Sequence, residues 1–200
     1  MWRILQRCVS GKAGTKLENM KWKVLESEYL HKEPWLTIRK EKCELPNGKI
    51  VPEFYINEYP EWVNAFALTK EGKVLMVKQY RRGIDSIEIE LPGGVSEEGE
   101  TMEEAVRREI LEETGYEFES VEFLAKTSAN PSTTNNFTHF FLAKGGTKVA
   151  GQKLDETEEV EVLYLTIDEV KALVKENRMA QSLHVNAIFY ALAKLGELSY

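Results

Sequence analysis

Between Gly94 and Tyr116 the chain encodes a helix whose two ends are well marked and whose inner face is chemically unlike a core. It opens on Thr101-x-x-Glu104, in which hydroxyl and carboxylate cap each other's backbone N–H groups, and it stops at Gly115, a residue suited to the left-handed turn that ends helices. Advancing about 100° per residue from Met102 puts Ala105, Val106 and Ile110 in one apolar arc. Glu109 and Glu113 fall inside that same arc. An unpaired carboxylate facing a core suffers several kcal/mol of desolvation or takes up a proton. Both acids also lie toward the negative end of the helix dipole, which disfavours an anion by roughly 0.3 to 1 kcal/mol.

A bound divalent cation resolves both conflicts. Glu109 and Glu113 are neighbours at i and i+4 and converge on one ion, with Glu112 flanking at i+3. Hard oxygen ligands select magnesium or manganese over zinc. Arg108 is spaced to pair with Glu104 or Glu112 and so to fix the carboxylates from behind, while Glu103, Glu104 and Arg107 read as ordinary solvated charge.

The rest of the chain bounds what such a helix serves. Its 200 residues suffice for one sizeable α/β or α+β domain with a small appended subdomain, and a composition 42% hydrophobic and 30% charged is that of a folded soluble protein. A net charge of -7 argues against a nucleic-acid coat or a basic membrane-surface protein. Carboxylates gathered around metal are a different source of acidity, since the substrate's phosphates arrive with the cation. Cys8 and Cys43 are far apart and form no zinc pattern, so both read as free thiols. His31, His139 and His184 are scattered and build no metal motif, and Ser10-Gly11-Lys12 lacks the frame of a phosphate loop. No apolar run approaches a membrane span, and the first nineteen residues, with Arg3, Arg7, Lys12 and Lys16, lack the apolar stretch of a signal peptide. Cytoplasm is the default compartment.

Along the chain, residues 1–19 read as an irregular leader, with Met20 a second candidate start, 20–58 as an N-terminal β-subdomain and 59–200 as the main domain. Trp22 to Tyr55 suggests three short strands, the last two joined at Pro46-Asn47-Gly48, where Asn-Gly supplies the positive φ angles of a tight hairpin. Further strands are predicted at Val63–Leu68 and Val74–Tyr80 around the turn Lys70 to Lys73, then near Val121–Ala125, Phe137–Ala143 and Val160–Leu165. Two helices follow, Ile167–Glu176, opened by Thr166-x-x-Glu169, and Ser182–Leu195.

Gly94, Glu100 and the run Arg108-Glu109-Ile110-Leu111-Glu112-Glu113-Thr114-Gly115-Tyr116 stand at the spacing G-x5-E-x7-R-E-U-x-E-E-x-G-U, and this resembles the Nudix box with every fixed position present. Only Tyr116 departs, where an aliphatic residue is usual. The resemblance implies a Nudix α/β/α sandwich with a mixed central sheet and a small N-terminal antiparallel sheet. It also implies hydrolysis of a nucleoside diphosphate linked to another moiety, with Mg2+ (or Mn2+) held by Glu109 and Glu113 and assisted by Glu112 and the Gly93 carbonyl. Such ions neutralise the diphosphate and lower the pKa of an attacking water.

Outside the box the chain is similar to the ADP-ribose pyrophosphatase branch. Gln79-Tyr80-Arg81-Arg82 followed by Glu88-Ile89-Glu90-Leu91-Pro92-Gly93-Gly94 resembles that branch's Q-Y-R and E-L-P-A-G segments. The resemblance brings Arg81, with Arg82 and Glu90, to the substrate, although Arg81 reads equally as a structural ion-pair residue. Pro131 stands sixteen residues after Gly115, where the branch places a proline at the substrate; a turn-forming proline is the plainer reading. In that branch an N-terminal sheet helps build a homodimer and part of the adenine site, so the resemblance implies a homodimer; an ordinary edge sheet is the plainer reading. The stretch Ser128 to Asn136 lacks the glycine-aromatic-acid sequence common after that proline, which leaves a GDP-sugar or a dinucleotide open beside ADP-ribose. A binding-only regulator is the alternative class; it would have lost a motif glutamate or gained a DNA-binding domain, and the sequence shows neither. In this branch the base that activates water is a loop glutamate, and Glu158 in Asp155-Glu156-Thr157-Glu158-Glu159 aligns best, ahead of Glu156, with Glu112 next.

Overall fold

A computed structural model describes residues 20–198 and divides them into two units, one taking the chain up to Tyr59 together with Ser132–Asn135, the other taking Pro60–Pro131 and the chain from Asn136 on. The expectations for the leader, for Met20 as a start and for Cys8 fall on or beside residues 1–19, which lie outside the described residues.

In the first unit β1 (Lys23–Glu33), β2 (Leu36–Glu44) and β3 (Ile50–Glu58) form an antiparallel sheet in that order. The β2–β3 turn is not the two-residue hairpin that Asn-Gly signals. Leu45 and Lys49 close a three-residue loop in which Gly48 alone takes positive φ (78°), while Asn47 accepts the Lys49 N–H through its side chain. Cys43 is a buried free thiol.

The second unit is built on an eight-stranded mixed sheet. Its spine runs β11 (Glu161–Leu165), β5 (Val74–Arg81), β4 (Trp62–Thr69), β10 (Thr138–Lys148) and β8 (Tyr116–Glu117). β6 (Ser86–Glu90) pairs with β5, β7 (Gly93–Val95) with β4, and β9 (Ser120–Thr127) with β10. The β4–β10 pair is parallel and the others are antiparallel.

Alternation along β4 and β10 divides two cores. Val63, Ala65 and Ala67 with Phe141 and Ala143 face helix α1 (Met102–Thr114) through Ala105, Val106 and Ile110. Phe66, Phe140 and Leu142 face the opposite side, against Val170 of α2 (Ile167–Lys175) and Ile188 of α3 (Ser182–Leu195). The alanines on the α1 side leave room for close backbone approach, whereas the bulky residues opposite fill a thicker layer. Helices thus cover both faces, which is the expected α/β/α sandwich. No described helix is long and apolar enough to cross a membrane.

Three short strands, β6 to β8, were not legible. The Gly93-Gly94 stretch reads as a glycine-rich loop, yet it pairs with β4 (Asn64↔Gly93, Val63↔Gly94) because only glycine fits there: a Cβ on Gly93 would lie 2.2 Å from the Val63 carbonyl oxygen.

Candidate active site

The candidate site residues, from Arg81 to Glu158, all belong to the second unit, and α1 carries four of them, Arg108, Glu109, Glu112 and Glu113. Its N-terminus is fixed by a full capping box: Glu104 N–H donates to Thr101 Oγ1 (3.2 Å) and Thr101 N–H to the Glu104 carboxylate (2.8 Å). Its C-terminus is fixed by Gly115 in the left-handed region (φ 74°), whose N–H donates to Leu111 O. A Cβ on Gly115 would lie 2.2 Å from Ala150 O, so a larger residue is excluded twice over.

Because Glu104 is committed to the cap, Arg108 does not pair with it. Arg108 instead donates to Glu100 (Nε, 2.8 Å; Nη2, 3.1 Å), to the Val95 carbonyl (2.9 Å), and through Nη1 to both Glu109 (3.0 Å) and Glu112 (3.1 Å). Five hydrogen bonds tie the loop before the helix to two of the helix acids. The Glu100 hydrogen bonds, foremost, lift the guanidinium above its ordinary range and hold the Glu100 carboxyl below its own. Glu100 lies eight residues from Arg108, beyond helix-surface spacing, so periodicity gave no sign of this contact.

Glu113 is buried and accepts the Gly93 N–H at 2.8 Å. Burial pushes its carboxyl up to about 8, and the charges of Glu109 and Glu158 add to the effect. Glu109 is half-buried, and burial raises it as well, with Arg108 opposing and Glu112 and Glu158 reinforcing. Gly94 lies directly against it: a Cβ there would stand 2.6 Å from the Glu109 carboxylate. Glu112 is more exposed and is held by Arg108.

The Glu158 loop is tied to the end of α1 by a residue that the sequence did not flag. Gln152 Nε2 donates to the Glu113 carbonyl (2.7 Å) and to the Val160 carbonyl (3.0 Å), and Lys153 N–H donates to Glu112 O (2.8 Å). Helix carbonyls that would otherwise lack partners thereby fasten the loop. The loop closes on itself through Glu158 N–H to Asp155 O and Asp155 N–H to the Glu158 carboxylate. The Glu158 charge reaches Glu109, Glu113 and Arg81.

Arg81, at the end of β5, makes a two-pronged contact with Glu90 on β6 (Nε–Oε2 3.1 Å, Nη2–Oε2 2.5 Å) and remains 45% exposed on its side chain. Burial works against the Arg81 charge, but the Glu90 hydrogen bonds and the charges of Glu113 and Glu158 outweigh it and raise its pKa. Glu90 is buried, also accepts from Gln79 Nε2 (3.3 Å), and forms the floor of a cavity of about 500 Å³ whose rim carries Arg81, Arg82, Tyr80 and Gln181. Arg81 is thus ion-paired with Glu90 while part of its side chain stays exposed at the cavity. Arg82 is exposed and paired with Asp85 (3.2 Å), and Pro131 is exposed at the head of a turn.

Among the described residues no three His, Cys, Asp or Glu side chains are grouped so as to hold a metal ion by themselves. The donor set still fits a hard divalent cation. Glu109 and Glu113, each raised by burial and by its neighbours' charges, stand beside Gly93 and Gly94, whose lack of side chains permits the close approach.

Comparison with known proteins agrees with this geometry. Residues 59–184 match the NUDIX domain, and residues 22–57 match the nucleoside diphosphate sugar hydrolase N-terminal domain. The chain is 35% identical to the methanol dehydrogenase activator of Bacillus methanolicus, over 84% of this chain and 91% of that protein. It is 31% identical to the ADP-ribose pyrophosphatase of Bacillus subtilis (strain 168), over 89% and 96%. A crystal structure of an ADP compounds hydrolase shares the fold, with a TM-score of 0.78 at 22% identity, covering 89% of this chain and 97% of that one. With the domain match spanning more than half the chain and the motif helix folded around its acids, the protein belongs to the Nudix family and is a pyrophosphatase.

Proposed function

We propose that this protein is a magnesium-dependent hydrolase of nucleoside diphosphate sugars, with ADP-ribose its preferred substrate and manganese an effective substitute. The observation that carries the reading is the buried carboxylate of Glu113 at the negative end of α1, beside Glu109 and against the Gly93 N–H. A helix tolerates such a group at such a place when a cation neutralises it. Relatives named as an ADP-ribose pyrophosphatase and an ADP compounds hydrolase support the adenosine diphosphate portion.

Glu109 and Glu113, with Glu112 and the Gly93 carbonyl, would hold the metal. When bound, it would supply neutralisation of the diphosphate and a water acidic enough to ionise near neutral pH. Arg108 keeps Glu109 and Glu112 turned toward the site by holding one oxygen of each. Arg81, oriented from below by Glu90, offers its open face to a phosphate oxygen, and Arg82 adds positive charge at the rim. Glu158 is the base: its carboxylate takes the proton of the attacking water as the P–O–P bond breaks to give a nucleoside monophosphate and a sugar phosphate.

Ser128 to Asn136, without the glycine-aromatic-acid sequence, favours a second reading in which a GDP-sugar or a dinucleotide is cleaved by the same machinery. Phosphate release with magnesium and a coupled phosphatase, over ADP-ribose, GDP-mannose, NADH, diadenosine polyphosphates and nucleoside triphosphates, ranks these. The proposed order puts ADP-ribose first, and hydrolysis of none of them would overturn the reading.

A homodimer built through the N-terminal sheet belongs to the same proposal, in a cytoplasmic setting that suits the free thiol of Cys43. Every residue of β1 is exposed, including Val24, Leu25, Tyr29 and Leu30, and a second copy would bury them. Sedimentation at micromolar concentration should show twice 23.0 kDa, and a monomer alone would refute the dimer.

A further inference from the structure

The link between β6 and β7 carries a backbone group that the sheet does not satisfy. Leu91 is buried, lies beyond the last β5–β6 pair at Glu90 and precedes the first β4–β7 pair at Gly93, so neither ladder takes up its N–H. That N–H donates to His184 Nδ1 at 3.0 Å, from a side chain on α3, ninety-three residues further along the chain. Two residues on, the Gly93 N–H donates to Glu113, and between them the Pro92 carbonyl accepts the Ala65 N–H at 3.1 Å. Three successive fastenings thus hold the stretch against which Glu109 and Glu113 stand. Two come from the sheet and from α1, and the third is His184.

The donor fixes the tautomer. Nδ1 accepts, so the proton is on Nε2, which lies 4.0 Å from the Glu90 carboxylate that orients Arg81. Burial holds the imidazole down to about 4, and it therefore stays neutral, with its Nδ1 lone pair available, throughout the neutral range.

We propose that His184 is a positioning residue for the metal site: by holding the Leu91 N–H it sets the place of the Gly93–Gly94 stretch relative to the Glu113 carboxylate. The inference rests on the metal-dependent reading above. Its chemical class is that of outer groups that hold ligands in place, whose loss typically costs roughly ten- to a hundredfold in metal affinity or activity.

Three variants separate this role from mere packing. His184→Asn keeps an acceptor near the Nδ1 position, His184→Gln moves the polar atom toward the Nε2 position, and His184→Leu removes polarity at similar size. Mn2+ affinity without substrate, read from the resonance of free Mn2+, is measured beside kcat and KM. His184→Leu and His184→Gln should weaken Mn2+ binding and lower kcat by roughly ten- to a hundredfold, with KM moving far less, and His184→Asn should recover most of the loss. If His184→Leu does not fold, the Asn and Gln pair decides alone. A folded Gln variant with Mn2+ affinity within about twofold of the parent overturns the inference, as does equal loss in Asn and Gln. Should the parent protein hydrolyse none of the nucleotide panel, the proposed function fails, while the Mn2+ affinities still test the role of His184.

Discussion

Helices α1 and α2 begin alike and end differently. Each opens on a Thr-x-x-Glu box with both reciprocal bonds formed, Thr101 with Glu104 and Thr166 with Glu169, and each carries further acid in its first turn, Glu103 and Asp168. At the other end α2 follows the dipole, with Lys175 in its last turn and Val170 and Leu173 buried beneath it. α1 has no base in its last turn and buries Glu113 as it buries Ala105, Val106 and Ile110. One helix obeys the local rules from end to end, and the other obeys them until its last turn. The violation is local, and it is what a cation would repair.

The sharpest way to break that comparison is to neutralise the offending groups. Glu113→Gln and Glu109→Gln should each lower kcat by orders of magnitude while circular dichroism stays unchanged, because each removes a proposed ligand and leaves a side chain of nearly the same shape. Near-normal turnover in both would make α1 an ordinary helix with two misplaced acids.

The next test concerns the loop tied to the end of α1. Glu158→Gln should lower kcat by about 10²- to 10⁴-fold with little change in KM, whereas Glu159→Gln is mild. Small and equal effects at Glu156, Glu158 and Glu159 would move the base onto the helix, with Glu112 next in line.

A smaller effect distinguishes the helices in metal-free protein. The Glu113 carboxyl is raised by burial from 4.5 to about 8, so between those values the folded state holds a proton that the unfolded state has released. Stability is then full below pH 4.5 and falls as pH rises toward 8, by on the order of 4 kcal/mol at the top of that window. Denaturant titrations at pH 5 and pH 8.5 with chelator present should show this loss in the parent protein, and Glu113→Gln should be markedly less sensitive. An unchanged slope in Glu113→Gln would mean that the titrating group lies elsewhere.

Legibility followed the reach of each interaction. Both capping boxes, the Gly115 stop, the inward turn of Glu113 and the two long helices are set by residues within a turn of one another, and periodicity exposes them. The α/β/α layering follows from alternation in β4 and β10. What escaped was set at long range or by exclusion. β7 is a strand because Val63 and Asn64 leave room only for glycine, and strand propensity points the other way. Arg108 turned to Glu100 because the cap had already claimed Glu104. Gln152 and His184 carry no local signature, for each acts on a backbone group that only the fold brings to it. The roles proposed for Arg81, Arg82, Glu90 and Pro131 came from family resemblance, and the ion pair that the sequence allowed for Arg81 is formed with Glu90.

The smallest expected effect tests what the two helices share. Thr101→Ala and Thr166→Ala each remove one acceptor for an N3 backbone N–H and one half of a capping box, and each should destabilise the protein by about 1 kcal/mol. For a chain of this size that corresponds to a fall in Tm of roughly 2 to 4 °C. The two losses should be equal within error, since the hydrogen bonds they remove have the same length, 3.2 Å, and similar exposure. Neither should change kcat per folded molecule. The acid-bearing end of α1 is held independently of its cap, by Arg108 from Glu100 and Val95 and by Gln152 at the Glu113 carbonyl, so fraying of the first turn stops before it reaches Glu109. A drop in kcat for Thr101→Ala without one for Thr166→Ala, at matched loss of Tm, would instead show that the cap itself sets the position of the acids, and that the two ends of α1 act as one device.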